Sequence, residues 1–196
     1  INSNANDVKL RDNRASQFRH FAVLGGANTV VTGNHFFQGD DEVAGLRTAG
    51  IVLARPHCSA TIDGNYVDNC FVEWTNEYTA TPDFTTGYSF SALSITDNVM
   101  LSSDVAPWFR FIVIKPHGSG HYIGGLTVTG NKFRSIHTPI DRVEHVDTSF
   151  AGLDMSKGKR IRFDANTFHA VEVPTSNPLM VVHDQNSASA TWTVDS

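Results

Sequence analysis

The chain has 196 residues, enough for one domain with a sizeable core. With 15 Lys and Arg against 20 Asp and Glu, and a net charge of −5, it lacks the clustered basic residues needed to neutralise phosphates, so no nucleic-acid partner is expected. No run approaches the roughly 18 apolar residues of a membrane span, and Ile1 to Asp7 show neither the basic nor the apolar region of an export signal.

Only 18% of the residues are charged, while Phe (13), Gly (15), Asn, Thr and Val are frequent. That mixture favours strands and turns over helices and predicts the all-β class. Six segments then repeat one pattern along the chain. In order they are Val8-Lys9-Leu10-Arg11-Asp12-Asn13-Arg14-Ala15, Thr29-Val30-Val31-Thr32-Gly33-Asn34-His35-Phe36 and Ala60-Thr61-Ile62-Asp63-Gly64-Asn65-Tyr66-Val67. Leu93-Ser94-Ile95-Thr96-Asp97-Asn98-Val99-Met100, Leu126-Thr127-Val128-Thr129-Gly130-Asn131-Lys132-Phe133 and Ile161-Arg162-Phe163-Asp164-Ala165-Asn166-Thr167-Phe168 complete the set.

With Asn as position zero, an apolar residue always sits three before it, and another usually sits five before. Apolar residues two apart point to one face of a strand, and the polar residues between them point to the other. The next apolar residue comes two after the Asn, which breaks that parity and demands a bend. Asn tolerates the left-handed conformation of such a bend, with Gly33, Gly64 and Gly130 beside it relieving crowding. Stacked coils would let the amides of Asn34, Asn65, Asn98, Asn131 and Asn166 bond to one another as a ladder. The expected architecture is a parallel β-helix of about six coils forming one domain over 1–196.

Successive Asn residues are 21, 31, 33, 33 and 35 apart, whereas a bare three-strand coil needs about 20–25 residues. A further strand recurs: Gly50-Ile51-Val52-Leu53-Ala54-Arg55-Pro56-His57 matches Arg110-Phe111-Ile112-Val113-Ile114-Lys115-Pro116-His117, and Leu179-Met180-Val181-Val182-His183 takes the same place later. The surplus residues fall at 38–48, 102–109, 138–149 and 174–178, with the Asn65 coil differing at 75–88. Inserts recurring on one edge of a solenoid are where binding surfaces are built. Cys58 and Cys70 form neither a disulfide framework nor a zinc set and are expected as buried thiols. Trp192 and Val194 re-enter the repeat register and neither terminus reads as a cap, so the chain is expected to belong to a longer β-helix or to be covered by partner chains.

The turns Val31-Thr32-Gly33-Asn34-His35-Phe36 and Val128-Thr129-Gly130-Asn131-Lys132-Phe133 resemble those of the right-handed parallel β-helices of the pectate-lyase-like superfamily, which includes polysaccharide lyases, polygalacturonase-like hydrolases and phage tailspikes. The resemblance covers nearly the whole chain and implies the right-handed sense. It also implies an extracellular or virion-associated protein, with a polysaccharide as partner. The catalytic signatures do not carry over: the nearest matches to the polygalacturonase-like set are Asp40-Asp41 and Gly120-His121-Tyr122. Nor does any set match the calcium ligands and arginine base of pectate lyases. No cofactor is therefore expected, and calcium is the one candidate.

Side chains able to do chemistry gather in the inserts. Asp141-Arg142-Val143-Glu144-His145-Val146-Asp147 brings carboxylates, an arginine and a histidine together, and Asp141, Glu144 and His145 are the catalytic candidates. Strand alternation would group Asp141, Val143, His145 and Asp147 opposite Arg142 and Glu144. Arg55 and Lys115, with His57, His117 and His183, would form a basic row suited to acidic sugars. Trp74, Tyr78 and Trp108 are candidate stacking platforms, Trp108 above all because it follows Pro107 in a loop. The acidic run Asp40-Asp41-Glu42 reads as a solvated loop. Substrate binding is accordingly assigned to Trp108, Arg142, Arg55, Lys115 and His117, and no metal ligands are assigned.

Two functions follow as expectations. The first is an extracellular β-helix that binds, and as a lyase or glycoside hydrolase degrades, an acidic polysaccharide. The second is a structural or adhesive β-helix, such as a tail-fibre or tailspike shaft, assembled as a homotrimer or continued by flanking coils.

Overall fold

A computed structural model describes residues 1–38, 47–76, 84–103 and 105–177. Three parallel sheets wind around one apolar axis, and the main path of each stacks six strands. The first sheet contains Asn2–Ser3, Ala22–Leu24, Ala49–Leu53, Phe71–Thr75, Ile112–Lys115 and Glu144–Val146, in that order. The second contains Lys9–Arg11, Val30–Thr32, His57–Asp63, Ser89–Thr96, Leu126–Thr129 and Ile161–Asp164, with Tyr122–Ile123 pairing beside the start of Ser89–Thr96. The third contains Arg14–Ser16, His35–Phe37, Tyr66–Asp68, Val99–Ser103, Lys132–Ile136 and Thr167–His169. The parallel β-helix read from the repeat is the fold. No helix among the described residues is long and apolar enough to cross a membrane.

Each repeat runs from the second sheet, round the Asn, into the third. The column three before the Asn (Leu10, Val31, Ile62, Ile95, Val128, Phe163) is buried throughout. The columns five before and two after it fill the rest of the axis with Leu93, Leu126, Phe36, Met100 and Phe133. The Asn side chains form the expected ladder. Asn98 Oδ1 accepts both the backbone N–H and the Nδ2–H of Asn65 at 2.9 Å, while Asn98 Nδ2 donates to Asn131 Oδ1 and to the Ile62 carbonyl, also at 2.9 Å. The same arrangement links Asn13 to Asn34, Asn34 to Asn65 and Asn131 to Asn166.

The left-handed residue of this turn is not the Asn, as the sequence suggested, but the one before it: Asp12, Gly33, Gly64, Asp97, Gly130 and Ala165, with φ between 53° and 72°. The Asn is thus freed to serve the ladder, and the glycines occupy the position where a Cβ is disfavoured. A second left-handed column lies six before the Asn, at Asp7, Asn28, Ser59, Ala92 and Arg160, and turns the chain from the first sheet into the second. In His57–Asp63 and Ser89–Thr96 it kinks an otherwise continuous strand, at Ser59 and at Ala92, the latter with a register shift between Ser91 and Leu93.

The first sheet departs most from expectation. Ala22–Leu24, Phe71–Thr75 and Glu144–Val146 belong to it, although none of them carries the repeat. Val72 pairs with Ile51 on one side and Ile112 on the other, and Trp74 with Leu53 and Ile114. The alignment of Gly50–His57 on Arg110–His117 was therefore one residue out and skipped a coil. A one-residue slip turns every side chain to the other face. Insert positions shift accordingly. In the Asn65 coil the third sheet passes into the first through Asn69 and Cys70 alone, and the long connections move to the other edge at 76–88 and 147–160. The expected strands at Leu179–His183 and Trp192–Ser196 lie outside the described residues, as do Asp40, Asp41, Glu42 and Tyr78.

Cys58 and Cys70 are free and buried as expected, and burial pushes the Cys58 thiol up to about 12. The last described second-sheet strand has a cover that the sequence did not advertise. The Asn177 side chain accepts from the Phe163 N–H and donates to the Ile161 carbonyl at 2.9 Å, while its backbone N–H donates to the Phe163 carbonyl at 2.7 Å. These are the groups that a following strand would have to use.

Candidate functional site

The predicted site residues divide between two ends of the first sheet. Before Ile112–Lys115, the loop carrying Trp108 leaves that indole 54% exposed. Arg110 is held by the Pro107 and Phe109 carbonyls and reaches Asp141 at 3.2 Å. Arg142 lies 3.9 Å from Asp141 and 3.7 Å from Glu144, so Arg110, Asp141, Arg142 and Glu144 form one chain of ion pairs, with Trp108 on the loop just before Arg110. After the strand, Lys115 Nζ lies 3.7 Å from Asp147, and both Lys115 and His117 meet the ring of Phe150.

Asp141, Glu144 and His145 are not brought to a common point. Glu144 pairs in register with Ile112, whose side chain is buried, and His145 with the half-exposed Val113. Alternation therefore sends Glu144 towards the axis and His145 outward. Glu144 borders a cavity of about 390 Å³, shared with Arg142, Ile112, Ile114, Leu126 and Phe163, and His145 touches the same cavity although it is exposed. Its Oε1 accepts from the Thr175 hydroxyl at 2.7 Å, and its Oε2 is buried without a hydrogen-bond partner. The grouping expected from alternation holds for His145 with Asp147 and for Arg142 with Glu144. It fails at Val143, which is fully buried because it sits in the bend before the strand.

The basic row does not form. Lys115 pairs with Thr75 and Leu53 pairs with Trp74, so Arg55 falls one residue beyond the Lys115 column, with the strand of Trp74 between them. Arg55 contributes its carbonyl to the fold, accepting the Trp74 indole N–H at 2.9 Å. Trp74 itself is fully buried and offers no platform. His121, from the Gly120-His121-Tyr122 match, is also structural. Its Nδ1 accepts the Tyr88 N–H at 3.1 Å and its Nε2 donates to the His117 carbonyl at 2.8 Å, tying two connections together. Among the described residues, no three His, Cys, Asp or Glu side chains converge as a metal set.

Glu73 is a further candidate that the repeat does not mark. Register places it on the outward column Val23–Val52–Glu73–Val113–His145 of the first sheet. Period-two alternation in Phe71-Val72-Glu73-Trp74-Thr75 is the signal that would have found it. Burial raises the Glu73 pKa, and the favourable charges of Lys115 and His20 do not offset that. Burial also acts on Asp147, but the Ser149 hydroxyl and N–H, helped by Lys115, outweigh it and lower its pKa. Two carboxyls on one face are thus pushed in opposite directions, with a lysine coupled to both.

Linkage gives a direct check. A carboxyl whose folded pKa is raised contributes stability at low pH and loses it as pH rises through that pKa. Glu73→Gln removes the ionisation, so it should raise the melting temperature at neutral pH and leave it nearly unchanged well below the normal carboxylate range. Thermal melts of both proteins across that range measure the difference. Equal effects at both ends would show that Glu73 is not desolvated.

Comparison with known proteins places this chain beside no characterised family: no family model, no curated protein and no solved structure matches it.

Proposed function

We propose that this β-helix is a pectate-lyase-like protein, extracellular or carried on a virion, that binds an acidic polysaccharide along the outward face of its first sheet. The observation supporting this most directly is the placement of Glu73, Lys115, His145 and Asp147 on that face, with exposed aromatic rings, Trp108 and Phe150, at its two ends. Aromatic planes accept the apolar faces of sugars, and the fixed cation recognises their carboxylates. Glu73 and Asp147 are the pair to which a cleavage reaction would fall, as proton donor and ionised partner.

The test is a panel of acidic and neutral polysaccharides scored for binding and for depolymerisation. Binding confined to acidic polymers, weakened about fivefold or more by Lys115→Gln, is the expected result. New reducing ends would identify a hydrolase, and new ultraviolet absorbance from an unsaturated uronate would identify a lyase. Either activity should be lost in Glu73→Gln. Failure of the wild-type chain to bind any acidic polymer would overturn the reading.

A second reading is a shape-holding or adhesive shaft assembled as a homotrimer. It draws support from Asp141, Glu144 and Asp147 all being engaged in ion pairs. A trimer in sedimentation, with no glycan bound, is the outcome that would favour it.

A further inference from the structure

Away from the first sheet, one pair of side chains has the geometry of a nucleophile and its base. Ser91 and His57 lie side by side in register near the start of the second sheet, and the Ser91 N–H donates to the Pro56 carbonyl at 2.8 Å. His57 Nδ1 is 3.0 Å from Ser91 Oγ. In the tautomer protonated at Nε2, Nδ1 accepts the hydroxyl proton, which is how an imidazole activates a serine.

Two neighbours hold this pair and keep it open. Tyr88 meets the imidazole edge to face at a centroid distance of 5.9 Å, and its own N–H is anchored on His121 Nδ1 at 3.1 Å. In the next coil Gly124 stands beside Ser91, where a Cβ would come within 1.9 Å of Ser89 Oγ and 3.6 Å of Ser91 Cβ. No side chain at that position covers the serine. His57 is exposed, Ser91 is half-buried, and Tyr88 has 38% of its surface in water.

We propose that Ser91 and His57 form a nucleophile–base pair that hydrolyses small acyl esters, aryl acetates above all, with the aryl group against Tyr88. The pair belongs to the second sheet and is independent of the polysaccharide reading. Ser91 Oγ bonds to the acyl carbon as its proton passes to His57 Nδ1. The bond from that carbon to the aryl oxygen breaks, and the aryl oxide leaves with the proton from the imidazole. Water then adds to the acyl carbon, giving a proton to His57 Nδ1. The bond to Ser91 Oγ breaks, the serine recovers that proton, and acetic acid departs. Among the described residues His57 is oriented by a ring and not by a carboxylate, so esters with good leaving groups are the ones within its reach.

The test treats the full chain with a fluorophosphonate probe and with p-nitrophenyl acetate. The probe should label the wild-type chain once, at Ser91 in the peptide map, and should leave Ser91→Ala unlabelled. Ester hydrolysis should fall about a hundredfold in Ser91→Ala and in His57→Asn, within the range for a lost general base. Neither side chain is buried, so both variants should melt with the wild type, which separates lost reactivity from lost folding. A wild-type chain that takes no label would overturn the proposal. So would hydrolysis that Ser91→Ala leaves unchanged, which would assign the reaction to other histidines, or labelling of His57→Asn at the wild-type rate.

Discussion

Asn98→Asp is expected to destabilise the folded chain more than Asn98→Ala at neutral pH, and the gap should close in mild acid. The Asn98 side chain is fully buried. Its Oδ1 satisfies two donors of Asn65, and its Nδ2 satisfies the Ile62 carbonyl and Asn131 Oδ1. Alanine leaves the Asn65 N–H and the Ile62 carbonyl buried without partners, at a cost of about 1–3 kcal/mol each. Aspartate keeps the acceptor but loses the donor, and sets an anion against two oxygens. An uncompensated buried charge costs about 3–5 kcal/mol. Protonation supplies an O–H donor and removes the charge, so the acid form should approach or exceed the alanine variant in stability. Urea unfolding of the three proteins at two pH values measures this. An aspartate variant as stable as wild type at neutral pH would show that the ladder is ornamental.

Trp74→Ala should cost about 3–5 kcal/mol, the usual penalty for emptying the site of a large aromatic residue. The indole is fully buried between the first-sheet strands of neighbouring coils and meets Phe90 edge to face at a centroid distance of 5.2 Å. It also ties down the end of the adjacent coil through the Arg55 carbonyl. Trp74→Phe separates these contributions. It retains most of the apolar contact and gives up the hydrogen bond, so it should cost about 1–2 kcal/mol, within the range for a lost buried hydrogen bond. Calorimetric melting of the two variants measures both. If Trp74→Ala melts with the wild type, the indole is not part of a close-packed core. The effect should be confined to stability, because the outward residues Glu73 and Lys115 lie on the other face of the sheet.

These two residues mark the division between what could be read in advance and what could not. Asn98 belongs to a column that recurs with the same neighbours in every coil. Three inward columns and the ladder were therefore readable from a single pattern, down to the buried side chains of Val31, Ile62, Ile95 and Val128. The exact residue that bends was misread, because Asn tolerates the left-handed region so well that Asp12, Asp97 and Ala165 beside it drew no notice. Trp74 belongs to the first sheet, where connections of unequal length separate one coil from the next. Without constant spacing, Pro56 and Pro116 suggested a register one residue from the observed one, and that slip produced a row of cations that does not exist.

The site was legible only in part, for the same reason. Trp108 and Lys115 could be named from their loops and strand ends, but Glu73 acquires its raised pKa from burial, reinforced by Asp147 and opposed by Lys115, which reach it from the next two coils. Glu144 and His145, adjacent in sequence, are sent to opposite faces by the strand they share. What the sequence determined by itself was the repeat: alternation within a strand and an Asn between strands are short-range demands, and each coil states them again. What only the tertiary structure decided was which coil lies beside which side chain. Register across the first sheet is set by packing between segments tens of residues apart, and the face that carries Glu73, Lys115 and Asp147 exists only once that packing is complete.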